Sequence, residues 1–223
     1  MNKSPAPAGR LRWFPLQPAD LDAMHALHRR SIADLPAQAV KPESREFLDS
    51  LLRGRGRVLG VWDGGVLVAY GVLQHDLLPD DNPRALLGLT PTQPLVKLAG
   101  AAVDARWRGQ GLQRALIARR LDWCGTQAVF ATAGPSNPAS WRSLLACGLL
   151  VHALERRYGG LVRYLLARVP GQRFEWDATR VRTLDGDALD EQQRLLHQGW
   201  RGVAPGGEAG QLCLLPPLAE SQA

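Results

Sequence analysis

The stretch Val103-Asp104-Ala105-Arg106-Trp107-Arg108-Gly109-Gln110-Gly111-Leu112 decides how this chain reads. Before it, residues 95–103 are apolar or small apart from Lys97, which predicts a buried strand. After it, apolar side chains recur at helical spacing from 112 to 124, which predicts an amphipathic helix. The junction is thus a strand, a tight glycine turn and a helix start. There the first-turn N–H groups have no intrahelical acceptor, point into one concavity and carry the positive end of the helix dipole. Glycines at 109 and 111 leave no Cβ between that backbone and a bulky anion. The natural ligand is a pyrophosphate, and a tight turn without a ligand is the alternative at this point. The Gly-x-Gly-x-x-Gly fingerprint of dinucleotide folds fails because residue 114 is Arg114, and the P-loop lysine is missing.

Outward from this junction the pattern alternates between short apolar strands and helices. Residues 1–10 are rich in Pro and Ala and are expected to be frayed. Residues 11–16 suggest a strand, and Leu21, Met24, Leu27 and His28 a helix. Residues 33–42 suggest a loop, and Phe47, Leu48, Leu51 and Leu52 a second helix that Gly54 and Gly56 stop. Residues 58–62 and 66–73 predict a hairpin turned at Asp63-Gly64-Gly65, followed by a long acidic loop over 75–94. Residues 128–132 predict a strand, Trp141, Leu144 and Leu145 a helix closed by Gly148, and residues 149–154 and 161–169 two final strands. The expected fold is α/β, with one mixed, largely antiparallel sheet flanked by helices over 11–169. Residues 170–223 form a C-terminal extension: a strand at 181–184, a helix at 188–198, a glycine-rich stretch at 202–210 and a strand at 212–215. It could extend the sheet, cover an acceptor pocket or make a homodimer, and the sequence does not choose.

Composition narrows the function classes. At 223 residues with 45% hydrophobic and 22% charged side chains, the chain matches an ordinary globular protein with one core. No apolar run is long enough for a membrane span, and the opening residues lack a secretion signal, so a cytoplasmic protein is expected. Cys124, Cys147 and Cys213 are scattered, without metal-ligand spacing, so no metal is expected. A net charge of +6 raises the question of nucleic acid, but the arginines are dispersed and no aromatic platform interleaves them.

Arg108-Gly109-Gln110-Gly111, preceded by Val103-Asp104 and followed by Leu112 and Ala115-Leu116, resembles the acetyl-CoA motif of the GNAT superfamily of N-acetyltransferases. Asn137-Pro138-Ala139-Ser140 through Cys147-Gly148-Leu149 is similar to that family's fourth-helix segment, and the element order agrees. The resemblance implies a cytoplasmic enzyme that transfers an acetyl group from acetyl-CoA, or another acyl-CoA, to a primary amine of a small molecule or peptide. It implies that Ala101, Ala102 and Val103 border the pantetheine arm, with an amide near Ala102 or Val103 polarising the thioester carbonyl. It also implies that the amides of Arg108, Gly109, Gln110, Gly111, Leu112, Gln113 and Arg114 hold the pyrophosphate. Asn137 would face the cofactor arm, cap its helix, or both.

The chain departs from the family at three places. Gln113 stands where the family often has Gly or Ala, Leu144 where a tyrosine acid often stands, and Ala99-Gly100 where a glutamate base often stands. His75 as base and Tyr158 as acid are the substitutes the sequence offers, with Asp76, Tyr70 and His152 as further candidates. Asp34, Glu43, Asp76, Asp80 and Asp81 are available to attract a cationic amine. Because the usual acid and base positions are apolar, a non-catalytic acyl-CoA-binding module is the alternative from another class. Acetylation of charged tRNA is a third reading, motivated only by the basic charge.

Overall fold

The computed structural model describes residues 11–218, so the expectation for residues 1–10 lies outside the described residues. Ten strands form one sheet in the order β1-β2-β3-β4-β5-β7-β6-β9-β10-β8. The elements follow the chain as β1 (Arg12–Pro15), α1 (Leu21–Ile32), α2 (Arg45–Ser50), β2 (Gly56–Asp63), β3 (Val66–Gln74) and β4 (Leu95–Val103). Then come α3 (Leu112–Cys124), β5 (Ala128–Ala133), α4 (Pro138–Leu145), β6 (Leu150–Arg157) and β7 (Leu161–Arg168). The chain ends with β8 (Arg182–Leu184), α5 (Leu189–His197), β9 (Arg201–Pro205) and β10 (Leu212–Leu215). The β4–β5 pair is parallel and every other named pair is antiparallel, which is the mixed sheet that the sequence predicts.

Alternation along the central strands sends side chains to opposite faces. Val58, Tyr70 and Val72 meet Met24, Leu27, Leu48 and Leu51 of α1 and the α2 turn. Leu59, Val61 and Val68 meet Leu116 of α3 instead. Further along the α3 face, Val96, Leu98 and Val129 pack with Ile117, Leu121 and Trp141. The β2–β3 hairpin closes through Gly64 and Gly65, whose φ values of 51° and 88° suit a two-residue turn that L side chains resist.

Two irregularities shape the centre of the sheet. β4 and β5 share only three rungs, Leu95↔Ala128, Val96↔Val129 and Lys97↔Phe130, and then part. Beyond that point β4 stays with β3, and β5 stays with β7 as far as Ala133↔Tyr164, so a wedge opens between them. On its other edge β4 carries a bulge: Leu73 faces Leu98 but Gly71 faces Ala101, leaving Ala99 and Gly100 opposite Val72 alone.

Residues 170–218 add β8, β9 and β10 to the same sheet through the Val151↔Gly202 contact. β9 is a strand where the sequence reading sees only glycine-rich chain. Its Gly202 is required by close packing, since a Cβ there would come within 2.8 Å of Val151 and 3.0 Å of Leu212. α5 is tied down by Gln192, fully buried, which accepts from the Tyr164 hydroxyl at 2.5 Å and donates to the Asp185 carbonyl at 2.5 Å.

His152 belongs to this packing. It is 5% exposed, lies 5.7 Å edge-on from the Phe174 ring, and faces Arg201. Burial and the nearby guanidinium push its pKa down from 6.5 to about 4. The unfolded chain therefore takes up the proton first as pH falls, and the stabilisation present above pH 6.5 is lost on the way to about pH 4. Denaturant unfolding across that range should show up to about 3 kcal/mol of loss from this group, and His152→Phe should flatten that part of the profile.

Candidate functional site

The turn between β4 and α3 is built by three local devices. Asp104 fixes its start: its amide donates to the Val68 carbonyl at 2.8 Å, and its side chain accepts from the Arg106 amide at 3.1 Å. Burial works against the Asp104 carboxylate, but hydrogen bonds from Arg106 outweigh it and hold the pKa below the usual range. Trp107, 8% exposed, anchors the middle of the turn among Leu112 and Leu116. Gly109 and Gly111 both take φ of 78°, where a side chain is strained.

The result is a row of unused donors. Among the described residues, the amides of Gly109, Gln110, Gly111, Leu112, Gln113 and Arg114 donate to no protein acceptor. The space beside them is open, because a Cβ at Gly109 or Gly111 would meet nothing within 4 Å. The Arg108 amide is not part of this row, since it closes the preceding turn onto the Ala105 carbonyl at 3.4 Å. Its guanidinium is also engaged, donating to the Ser31 carbonyl at 2.7 Å and the Val103 carbonyl at 3.4 Å. Such a cradle suits a diphosphate held by backbone N–H groups.

The cradle opens onto the wedge between β4 and β5. Amides alternate along an antiparallel strand, and Asp104 points its N–H to β3. By that alternation the amides of Val103 and Ala101 face the wedge, while that of Ala102 faces β3. On the β5 side, Asn137 caps α4 by accepting from the Ser140 amide at 3.2 Å, and its side-chain amide has no partner among the described residues.

A polar cluster closes the α1–α2 face of the wedge. The Tyr158 hydroxyl accepts from Lys97 at 2.9 Å, donates to Asp81 at 2.9 Å, and lies 3.1 Å from the Thr132 hydroxyl. Lys97 (β4) also pairs with Asp81, and Arg157 reaches Asp81 at 3.4 Å. Lys97 is 8% exposed and burial opposes its charge, yet Tyr158 and Asp81 hold its pKa above the usual value. Lys41 lies 5.1 Å from the Tyr158 ring centre and 3.1 Å from the Glu43 carboxylate. Burial raises the Glu43 pKa even against Lys41 and Lys97. The Glu43 amide donates to His28 Nε2 at 3.0 Å, so the neutral ring carries its proton on Nδ1, 2.9 Å from the Tyr70 hydroxyl. An open cleft of about 630 Å³ borders this cluster, not the cradle, and is lined by Asp80, Glu155, Arg157, Asp190 and His197 among others.

The sequence profile of the acetyltransferase (GNAT) family matches residues 23–149, which contain the cradle, the wedge and α4. The chain belongs to that family. No curated protein sequence matches it. Among solved structures it is similar to the ribosomal-protein-S18-alanine N-acetyltransferase of Escherichia coli, at 20% identity over 73% of this chain and 95% of that one, TM-score 0.53. It is also similar to yncA of Salmonella typhimurium with its cofactor acetyl-CoA, at 18% identity over 76% and 99%, TM-score 0.55. Arabidopsis thaliana NAA60 in complex with a bisubstrate analogue gives 17% identity over 73% and 99%, TM-score 0.56. At these identities the likeness is one of fold. This acetyltransferase family uses an acyl-CoA co-substrate, whose diphosphate is the kind of group the cradle fits.

The structure separates the two catalytic candidates of this acetyltransferase. His75 is exposed beyond the last rung of β3, and partial desolvation of its ring, with Arg57 nearby, lowers its pKa. Arg57 stacks 4.1 Å from the Trp123 ring of α3, which places that neighbourhood on the opposite side of the sheet from Tyr158. Sequence reading missed Lys97 and Thr132 as partners of Tyr158. A lysine inside an otherwise apolar strand was the available signal for the first. Leu144 is 5% exposed and lies in the core.

Acetyl-CoA should raise the melting temperature of the protein, and Gly111→Glu should abolish that shift by putting bulk and charge into the cradle. Gly111→Ala is the control: it carries the backbone strain, about 1 kcal/mol, without the charge. A full shift retained by Gly111→Glu would remove the diphosphate from this turn.

Proposed function

We propose that the protein transfers an acetyl group from acetyl-CoA to a primary amine of a small molecule or peptide, by direct attack within a ternary complex. The reading rests on one observation: six consecutive backbone N–H groups without acceptors among the described residues stand at the mouth of a wedge between two diverging strands. In it, residues 11–169 carry the chemistry and residues 170–218 extend the sheet and wall the cleft beside the hairpin tip. The amides of residues 109–114 hold the pyrophosphate. Ala101, Val103 and the Asn137 side chain line the pantetheine arm, and an inward-facing amide of β4 stabilises the oxyanion as the amine adds to the carbonyl.

Proton handling falls to the polar cluster in this reading. The half-buried Glu43 carboxylate, in place of His75, accepts a proton from the acceptor amine. Tyr158 supplies a proton to the leaving thiolate and recovers one from Lys97, whose ammonium already touches its oxygen. A peptide acceptor accords with the alanine acetyltransferase and bisubstrate complex among the similar folds, and the cleft of about 630 Å³ offers room for chain beyond the amine.

Thiol release from acetyl-CoA, measured with a panel of small amines and peptides against an amine-free blank, tests the activity. Release no faster than the blank for every amine, alongside tight CoA binding, would favour a binding module. Glu43→Gln and Tyr158→Phe should each lower kcat about a hundredfold. Because Glu43 must be ionised to act and its pKa is raised, kcat/KM should climb with pH through a midpoint above the ordinary glutamate range. Glu43→Gln should remove that limb, and full kcat across pH in both variants would refute the assignment.

A further inference from the structure

We infer that Arg120 is a positioning residue for acyl transfer, holding the β3–β4 bulge in the shape that aims the β4 amides at the thioester carbonyl. The inference rests on the acetyl-CoA reading of the wedge. The buried stripe of α3 is Leu112, Leu116, Ile117, Leu121 and Cys124, and Arg120 sits in the middle of it at 1% exposure. Among the described residues no carboxylate pairs with it. Burial pushes its pKa down to about 10, so it remains a cation at neutral pH. An uncompensated buried charge costs several kcal/mol, and an apolar side chain of similar size would serve the core better. Packing alone therefore does not explain the residue.

Its contacts do. Nη1 donates to the Val72 carbonyl at 2.7 Å, and Nε donates to the Leu116 carbonyl of its own helix at 3.0 Å. Val72 is the residue that β4 passes over at the bulge. The guanidinium also lies flat on Gly71, the partner of Ala101, where a Cβ would come within 2.7 Å of Cζ and 2.8 Å of Nε. Arg120 thus holds Val72, the residue opposite the bulge, and packs on Gly71, which flanks it on β3. The helix that carries it begins at the phosphate cradle, about two turns or 12 Å away. One rigid element consequently sets the separation between the diphosphate site and the strand segment that meets the thioester.

Three measurements on Arg120→Met and Gly71→Ala test this, the second variant displacing the guanidinium while keeping it. The expected result is a kcat lowered about 10- to 100-fold, with the affinity for CoA, which lacks the acetyl carbonyl, changed by no more than about threefold. The infrared stretch of carbonyl-labelled acetyl-CoA on the protein should also move back toward its value in water. A folded variant that keeps its kcat, or that loses kcat and CoA affinity together while the carbonyl stretch stays put, would overturn the proposal. If Arg120→Met does not fold, Gly71→Ala alone decides by the same readouts. Wild-type protein that fails to bind CoA at all would instead defeat the acetyl-CoA reading.

Discussion

Parallel pairing between β4 and β5 stops after Lys97↔Phe130, and the rest of the site depends on that interruption. A continued ladder would consume the outward amides of β4 and leave no room for a ligand arm. Each strand is held on its far side, β4 by β3 and β5 by β7, so the wedge does not need its own hydrogen bonds to persist. The sheet tolerates unpaired backbone here because the groups face open space and not packed core.

Around the wedge, polar groups divide into two regions with different physics. The cradle is almost purely backbone: two glycines in the left-handed region, a helix start, and amides with no acceptor among the described residues. Two of its arginines are engaged elsewhere, Arg108 on the Ser31 carbonyl of α1 and the Val103 carbonyl of β4, and Arg106 on Asp104. The opposite face is a side-chain network, in which Lys97, Asp81, Tyr158 and Arg157 are drawn from three separate segments and partly neutralise one another. The two proposed roles, diphosphate binding and proton transfer, thereby fall in different environments.

The C-terminal residues change what lies beside that network. β9 and β10 lengthen the sheet past β6, and α5 lies over β6, with Gln192 buried against Tyr164. The cleft between α5 and the β6–β7 hairpin exists only because this segment folds back onto the core. Arg201 and Phe174, also from this segment, bury His152 and thereby convert a candidate catalytic group into a pH-sensitive part of the core.

What the sequence by itself determined is local. β4, α3 and β10 have the bounds that hydrophobic periodicity predicts, and Gly109, Gly111 and Gly148 occupy backbone that requires glycine. These features depend on neighbours a few residues away, so their signals are written in consecutive positions. The strand β9 escaped because Gly202 is there for contact with Val151 and Leu212, neither of which is near in sequence. The joining of Tyr158 and Lys97 to Asp81 and the placement of Arg120 beneath the bulge were decided by tertiary structure alone. Each is a contact between groups 16 or more positions apart, and burial and electrostatics at that range leave no periodic trace in the chain.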